Sequence, residues 1–337
     1  MWLVGREDTF WDYFPGPEHH ATWPFARLRG PRRRHSDMPR TARYPAPRAA
    51  RAAAVPIGVG ATAVRALYGA PVDELPAFRE LLMRLAEVRD LDRETMARQA
   101  RLPEAEITSV LNGAEPSPDL LRSLAPVLGL HRSDLFVIAG QPVPDDLAPR
   151  DASARHEIRD LAWPLTFLPR AVPELYELVR SLPTLPHPSG PTEPAPLYRT
   201  DPNTPGGLIL RLLLNRNLDR TATAYYLYGI GGGPMLSTST IYLIGEGRKA
   251  LTPDLLTSLS AILDVSRSDL GALAGMDLST AVVRVHRHSD EAAELVWRAR
   301  RLTAEQLRSV VDRAHEIRHE RAGELEPRHR CHCTGRT

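Results

Sequence analysis

His315-Glu316-Ile317-Arg318-His319 has the spacing of a zinc-protease motif: two imidazoles one helical turn apart to hold the metal, and a carboxylate between them as general base. Such a site needs a further ligand from a folded segment downstream, and only residues 320–337 follow. Ala322 also stands where the longer form of the motif has glycine. The segment is explained as a helix: Thr303 and Gln306 make a capping box, and Leu307, Val310, Val311, Ala314 and Ile317 make one apolar face. His329, Cys331, His332 and Cys333 are soft-metal ligand types, but a one-residue gap between cysteines is not the usual zinc spacing and no second pair exists. The glycines of the stretch Gly229 to Pro234 lack the Lys-Ser/Thr ending of a phosphate loop. No Ser-His-Asp or Cys-His arrangement is recoverable. The expectation is a chain with no catalytic residues, no cofactor and no metal.

The 337 residues (37.4 kDa) suffice for two or three domains, and 42% hydrophobic with 25% charged residues allow a packed core. No run approaches the ~18–20 apolar residues of a membrane helix. Met1 to Tyr13 lack the apolar centre of a signal peptide. The two cysteines lie near the end of the chain and cannot form a disulfide framework, so a reducing cytoplasm is the expected location. Net charge is +2, yet residues 1–65 hold eleven arginines against five acids, which leaves the remainder net acidic. Lys249 is the sole lysine among 43 basic residues; with abundant Ala and Pro this reads as codon bias, so arginine content alone does not indicate nucleic acid.

The elements that would position any site begin near Leu75. Residues 1–74 form an Arg/Pro-rich segment without apolar periodicity, expected to be disordered. Phe78, Leu81, Leu82, Leu85 and Val88 then fall on one helical face. Helical patterns follow at Arg93 to Ala100, Glu104 to Leu111, Asp119 to Leu128 and Ser133 to Ala139, the last with Ser133 as N-cap and Gly140 as stop. Two more, near Ala154 to Ala162 and Val172 to Leu182, form a helical extension over 141–182. Residues 183–205, with eight prolines, read as a stiff linker.

After the linker the pattern returns. The run Arg84 to Arg93 aligns with Arg211 to Arg220, and Pro118-Asp119-Leu120-Leu121 with Pro253-Asp254-Leu255-Leu256. Arg132-Ser133-Asp134-Leu135 recurs as Arg267-Ser268-Asp269-Leu270, and Leu161-Ala162-Trp163 as Leu295-Val296-Trp297. Constant order over more than ~100 residues is an internal duplication of one all-helical unit. The second extension spans 277–325 and a disordered tail 326–337. Trp163 and Trp297, at equivalent places, read as core anchors.

Each copy resembles the lambda-repressor-like (Xre-type) helix-turn-helix domain. The marks are Leu91 to Ala97 opening helix 2, Ile107 to Gly113 ending helix 3, Pro116, and the helix Leu120 to Gly129; the second copy has Leu218 to Ala224, Ile241 to Gly247 and Leu255 to Leu263. The resemblance covers 75–140 and 206–276, and the extensions resemble appended segments of actinobacterial regulators. It implies an all-α fold of two five-helix domains, each followed by a helical hairpin and joined by the Pro-rich linker. It also implies a transcriptional regulator whose partner is double-stranded DNA, with a homodimer or another regulatory protein as further partner and no membrane.

In such a unit helix 2 rests on the phosphate backbone and helix 3 enters the major groove. Ile107 and Val110, or Ile241 and Ile244, would be the buried side of helix 3. The candidates facing DNA are then Glu104, Ala105, Glu106 and Ser109 in the first copy, and Thr238, Ser239, Thr240 and Tyr242 in the second. Arg93 and Arg220 stand where the family usually has a phosphate-contacting glutamine, and Arg248 and Lys249 follow the second reading helix. Two departures matter. Glu104 and Glu106 repel phosphate, although glutamate can accept from cytosine and equally can serve as helix-start charge. The second copy inserts Tyr228 to Pro234 between helices 2 and 3, which is expected to loosen the turn. Both departures, with the acidic balance, also suit an alternative class: an interaction or dimerisation module that no longer binds DNA.

Overall fold

Asp92, Ser117, Thr204, Asp219, Ser237, Thr252 and Ser266 each precede a helix and accept a hydrogen bond from a backbone N–H in its first turn. Each such cap contributes about 0.5–2 kcal/mol. The computed structural model describes residues 74–185, 203–282 and 285–325. Nearly all of the N-terminal segment, most of the Pro-rich linker and the tail with its Cys–His cluster lie outside the described residues. Among the described residues the structure is all-α, with fourteen α-helices and no strand, and none of the helices is long and apolar enough to cross a membrane.

The first set is α1 (Phe78–Glu87), α2 (Arg93–Ala100), α3 (Glu104–Leu111), α4 (Pro118–Val127) and α5 (Arg132–Ile138). Then come α6 (Arg155–Phe167) and α7 (Val172–Ser181), the former entered through a 3-10 turn at Ala152–Ala154. The second set is α8 (Pro205–Leu214), α9 (Arg220–Gly229), α10 (Thr238–Gly245), α11 (Pro253–Leu263) and α12 (Arg267–Ala274), followed by α13 (Ser289–Ala299) and α14 (Ala304–Leu325). Packing within the sets corresponds helix for helix. α3 packs on α1 and α2, as α10 packs on α8 and α9; α4 packs on α2 and α5, as α11 packs on α9 and α12. Left-handed backbone positions recur in register too: Asp90 with Asn217, Gly113 with Gly247, Gly129 with Asp264, Gly140 with Gly275.

The sets are joined reciprocally. α1 of the first packs on α12 of the second, while α8 of the second packs on α5 of the first. The expected hairpins are corrected by the same rule. α6 lies along α9 and α14, and α13 along α7, so each extension pairs with the other extension rather than folding on itself. The apolar faces explain this: Ile158, Leu161 and Leu165 of α6 and Leu307, Val310, Ala314 and Ile317 of α14 are all buried. Full burial of each such side chain stabilises by about 1.5–3 kcal/mol.

One asymmetry matters for the site. α6 also covers the back of α9, where the Tyr226 hydroxyl donates to the Ile158 carbonyl at 2.9 Å. α2 has no corresponding principal partner among the extension helices. α8 is buried almost all round against α5, α10 and α12, and its Gly206 lets the backbone sit directly on the carbonyl of Ile244 in α10.

Three local expectations are corrected. Ser133 is not the cap of α5, which starts one residue earlier with His131 at the cap position; Ser133 is buried and accepts from Asn215 of the other set at 3.0 Å. Trp163 is 42% exposed because α6 turns its other face to α9 and α14, and its ring meets Phe167 instead. The inserted loop is packed, not loose: Gly231 and Gly233 donate to the Tyr226 and Leu227 carbonyls, and both lie close against Ser258 of α11.

Candidate nucleic-acid interface

Buried Ile107 and Val110 pin α3, and buried Ile241 and Ile244 pin α10, so the faces beyond them are fixed. Both helices take their principal contacts from their own set and stand clear of the joint between sets. All twelve candidate side chains consequently reach the surface, Arg220, Thr240 and Tyr242 half-buried and the rest exposed.

In the first set, Asp92 caps α2 by accepting from the Thr95 N–H at 2.7 Å, and that bond holds its carboxyl below the usual carboxylate range. Arg93 follows, on the first turn. α3 begins after Pro103 with no side-chain cap, and Glu104 and Glu106 supply negative charge to its first turn instead. Glu104, Ala105, Glu106 and Ser109 are exposed side by side. Arg93 Nε donates to Glu104 Oε1 at 2.6 Å, so the expected phosphate contact closes on an expected base reader. Residues 92–116 hold three arginines against five carboxylates.

The second set repeats the aspartate cap and differs at the start of α10. Asp219 caps α9 by accepting from the Ala222 N–H at 2.7 Å, and Ser237 caps α10 by accepting from the Thr240 N–H at 3.1 Å. Neither α9 nor α10 carries an acidic side chain. The Arg220 guanidinium lies over the Tyr242 ring, 5.2 Å from its centroid. Asp219, Arg220, Thr221, Thr238, Ser239 and Tyr242 line an open cleft of about 280 Å³ where the starts of the two helices meet. A guanidinium and four hydroxyls, from Thr221, Thr238, Ser239 and Tyr242, line that cleft beside the Asp219 carboxylate, and the guanidinium and hydroxyls can donate to an oxyanion. Arg248 and Lys249 are exposed beyond α10, their N–H groups donating to the Leu243 carbonyl at 2.8 and 3.0 Å.

The sequence did not single out Asp219 and Thr221, which complete the cleft; their places on either side of Arg220, at the half-buried start of α9, were the available signal. Nor did it show that Arg93 and Glu104 meet, although opposite charges flagged on adjacent helices pointed that way.

The zinc-protease spacing falls on α14, where His315 is half-buried and His319 exposed. Glu316 is paired with Arg313 at 3.1 Å, and Arg313 also binds Glu174 of α7 and Glu320. Among the described residues no three His, Cys, Asp or Glu side chains gather where they could hold a metal ion. Compared with family models, curated proteins and solved structures, the chain matches none.

Proposed function

We propose that the chain is a sequence-specific DNA-binding transcriptional regulator carrying two helix-turn-helix units, 75–140 and 206–276, with α3 and α10 as reading helices. The observation that carries this reading is the α9–α10 cleft, where Arg220 would meet a phosphate while Thr238 and Ser239 stand exposed on the first turn of α10. Hydroxyls of that kind bond either phosphate oxygens or base edges. The reciprocal joint supports the same reading. Helix-turn-helix proteins usually dimerise to present two reading helices, and here one chain has the two-fold-like contacts of a dimer within itself. The partner is double-stranded DNA, met in the cytoplasm at the nucleoid.

The alternative, an interaction module that no longer binds DNA, is favoured by one specific observation: the acidic α2–α3 face with its internal Arg93–Glu104 pair. Gel shifts with a duplex from an unbiased selection and a scrambled duplex, at two salt concentrations, separate the two. Arg220→Ala should weaken both duplexes alike and lower the salt dependence by about one unit of slope. Ser239→Ala should lower preference at particular base pairs by about 1–3 kcal/mol. Absence of salt-dependent binding to any selected duplex would leave the interaction module as the reading.

A further inference from the structure

Two groups of ligand-type residues stand outside the DNA reading, and each lacks what the other has. On α14, His315 and His319 lie four residues apart, so they share one face of the helix one turn from each other. His315 is half-buried, while His319 lies beyond Ile317, the last buried residue of the apolar stripe, and is exposed. Among the described residues neither imidazole has a hydrogen bond or an ion pair. Glu316, which would be the general base of a zinc hydrolase, is committed to Arg313 at 3.1 Å, and Arg313 ties α14 to Glu174 of α7 at 2.7 Å. Two imidazoles are half of a metal site, and no third described His, Cys, Asp or Glu joins them.

The sequence supplies the other half. α14 ends at Leu325, and Cys331 and Cys333 follow outside the described residues. At a rise of about 1.5 Å per residue, Leu325 is about 9 Å beyond His319 and about 15 Å beyond His315 along the helix axis. The six residues from Leu325 to Cys331 can span up to about 20 Å, enough to return to either histidine. We propose that His315 and His319 of α14, with the thiolates of Cys331 and Cys333, form a structural zinc site. The histidine spacing is the H-x3-H of such sites, and two imidazoles with two thiolates complete a tetrahedron. Residues two apart in an extended segment point the same way, so the one-residue gap between the cysteines lets both sulfurs face one ion. Each thiol loses its proton on binding, and two thiolates with two neutral imidazoles balance the charge of Zn²⁺. Four protein ligands leave no position for an activated water, so the site holds structure and does not hydrolyse. It fastens the residues after Leu325 onto α14, the helix that packs along α6. The site does not depend on the DNA reading.

The test is a titration of the full chain, reduced and stripped of metal, with Co²⁺ as the spectroscopic probe. One ion per chain is expected, with the visible bands of a tetrahedral site and an ultraviolet thiolate-to-cobalt charge-transfer band, all lost when Zn²⁺ displaces it. Binding should release protons and weaken as the pH falls, because the thiols must ionise. Cys331→Ser with Cys333→Ser should remove the charge-transfer band, and His315→Ala with His319→Ala should remove the tetrahedral bands. His319→Ala alone, at an exposed position, keeps the test open if the half-buried His315 proves necessary for folding; it should lower Co²⁺ affinity at least about tenfold. His329→Ala with His332→Ala should leave binding unchanged. The proposal is overturned if the α14 variants bind Co²⁺ as wild type does, which would put the ion on residues 329–333 alone. It is overturned equally if the His329 and His332 pair is required, or if wild type takes up no stoichiometric ion.

Discussion

Arg216 holds Asp134 by two guanidinium nitrogens, Nη1 to Oδ1 at 3.0 Å and Nη2 to Oδ2 at 2.7 Å, with both side chains fully buried between the two halves of the chain. Asn215 adds a third bond to the carboxylate at 2.7 Å, and Arg300 from α13 closes the network on the Asn215 side chain at 2.8 Å. The pair has a counterpart in register: Arg89 holds Asp269 by both of its terminal nitrogens. One ion pair thus occurs twice, donor and acceptor exchanging halves each time, as the self-complementary contacts of a two-fold dimer do.

Removing one partner of a buried pair leaves the other charge stranded. Arg216→Ala is therefore expected to destabilise by about 3–5 kcal/mol. Arg89→Ala should cost clearly less, because Arg89 keeps 21% of its side chain in solvent and screening by water weakens such pairs. Urea denaturation of both variants checks this; equal losses would show that the two joints do not differ as their burial implies.

Gly206→Ala probes the seat of the reading helix. A Cβ there would lie 2.0 Å from the Ile244 carbonyl oxygen, so α8 or α10 has to move. Overpacking of this kind costs about 1–3 kcal/mol, and DNA affinity should fall in addition because α10 carries Thr238 and Ser239. Gly140→Ala is the control: its φ of +71° makes alanine strained, but nothing stands within 4 Å and no reading helix is adjoining. It should lower the melting temperature and leave DNA binding unchanged. Equal binding losses in the two variants would contradict the account.

Asp264 gives a pH dependence. The His131 imidazole, 3.6 Å from the Asp264 carboxylate and itself stacked on Trp297, holds that carboxyl below the usual carboxylate range. A lowered folded-state value means the native state favours the charged form, so its contribution is complete above the ordinary value and is lost as pH falls through the lowered one. Asp264→Asn should be less stable than wild type at neutral pH, and the gap should close as the pH drops below about 4. Denaturation midpoints of both proteins across that range decide it; a gap that persists in acid would assign the effect to something other than the carboxylate charge.

Much of this was legible in the amino-acid order. The limits of α2 and α3 follow from Asp92 as cap and from the apolar face Ile107 and Val110, because local periodicity and capping set helix boundaries. The equivalence of the two sets was written in repeated residues. The joint was not legible, since it depends on long-range contacts, such as Asn215 with Asp134 across 81 residues, that no local rule describes. Ser133 shows why: its place before Asp134 suits a cap, but the interface claims both side chains for Asn215 and Arg216. The recurring Arg-Ser-Asp-Leu was read as a sign of duplication when its aspartate was also half of each ion pair. Trp163 failed for the complementary reason, since equivalence with Trp297 does not survive the lopsided packing of α6 on α9.

The most direct measurement is hydroxyl-radical footprinting of the full chain on a duplex recovered from unbiased selection, with the mass of the complex determined alongside. The expected result is one chain per duplex, backbone protection of the selected site, and weakening of that protection on Arg220→Ala. A selection that yields no duplex bound in a salt-dependent way, or protection that survives Arg220→Ala unchanged, would contradict the account.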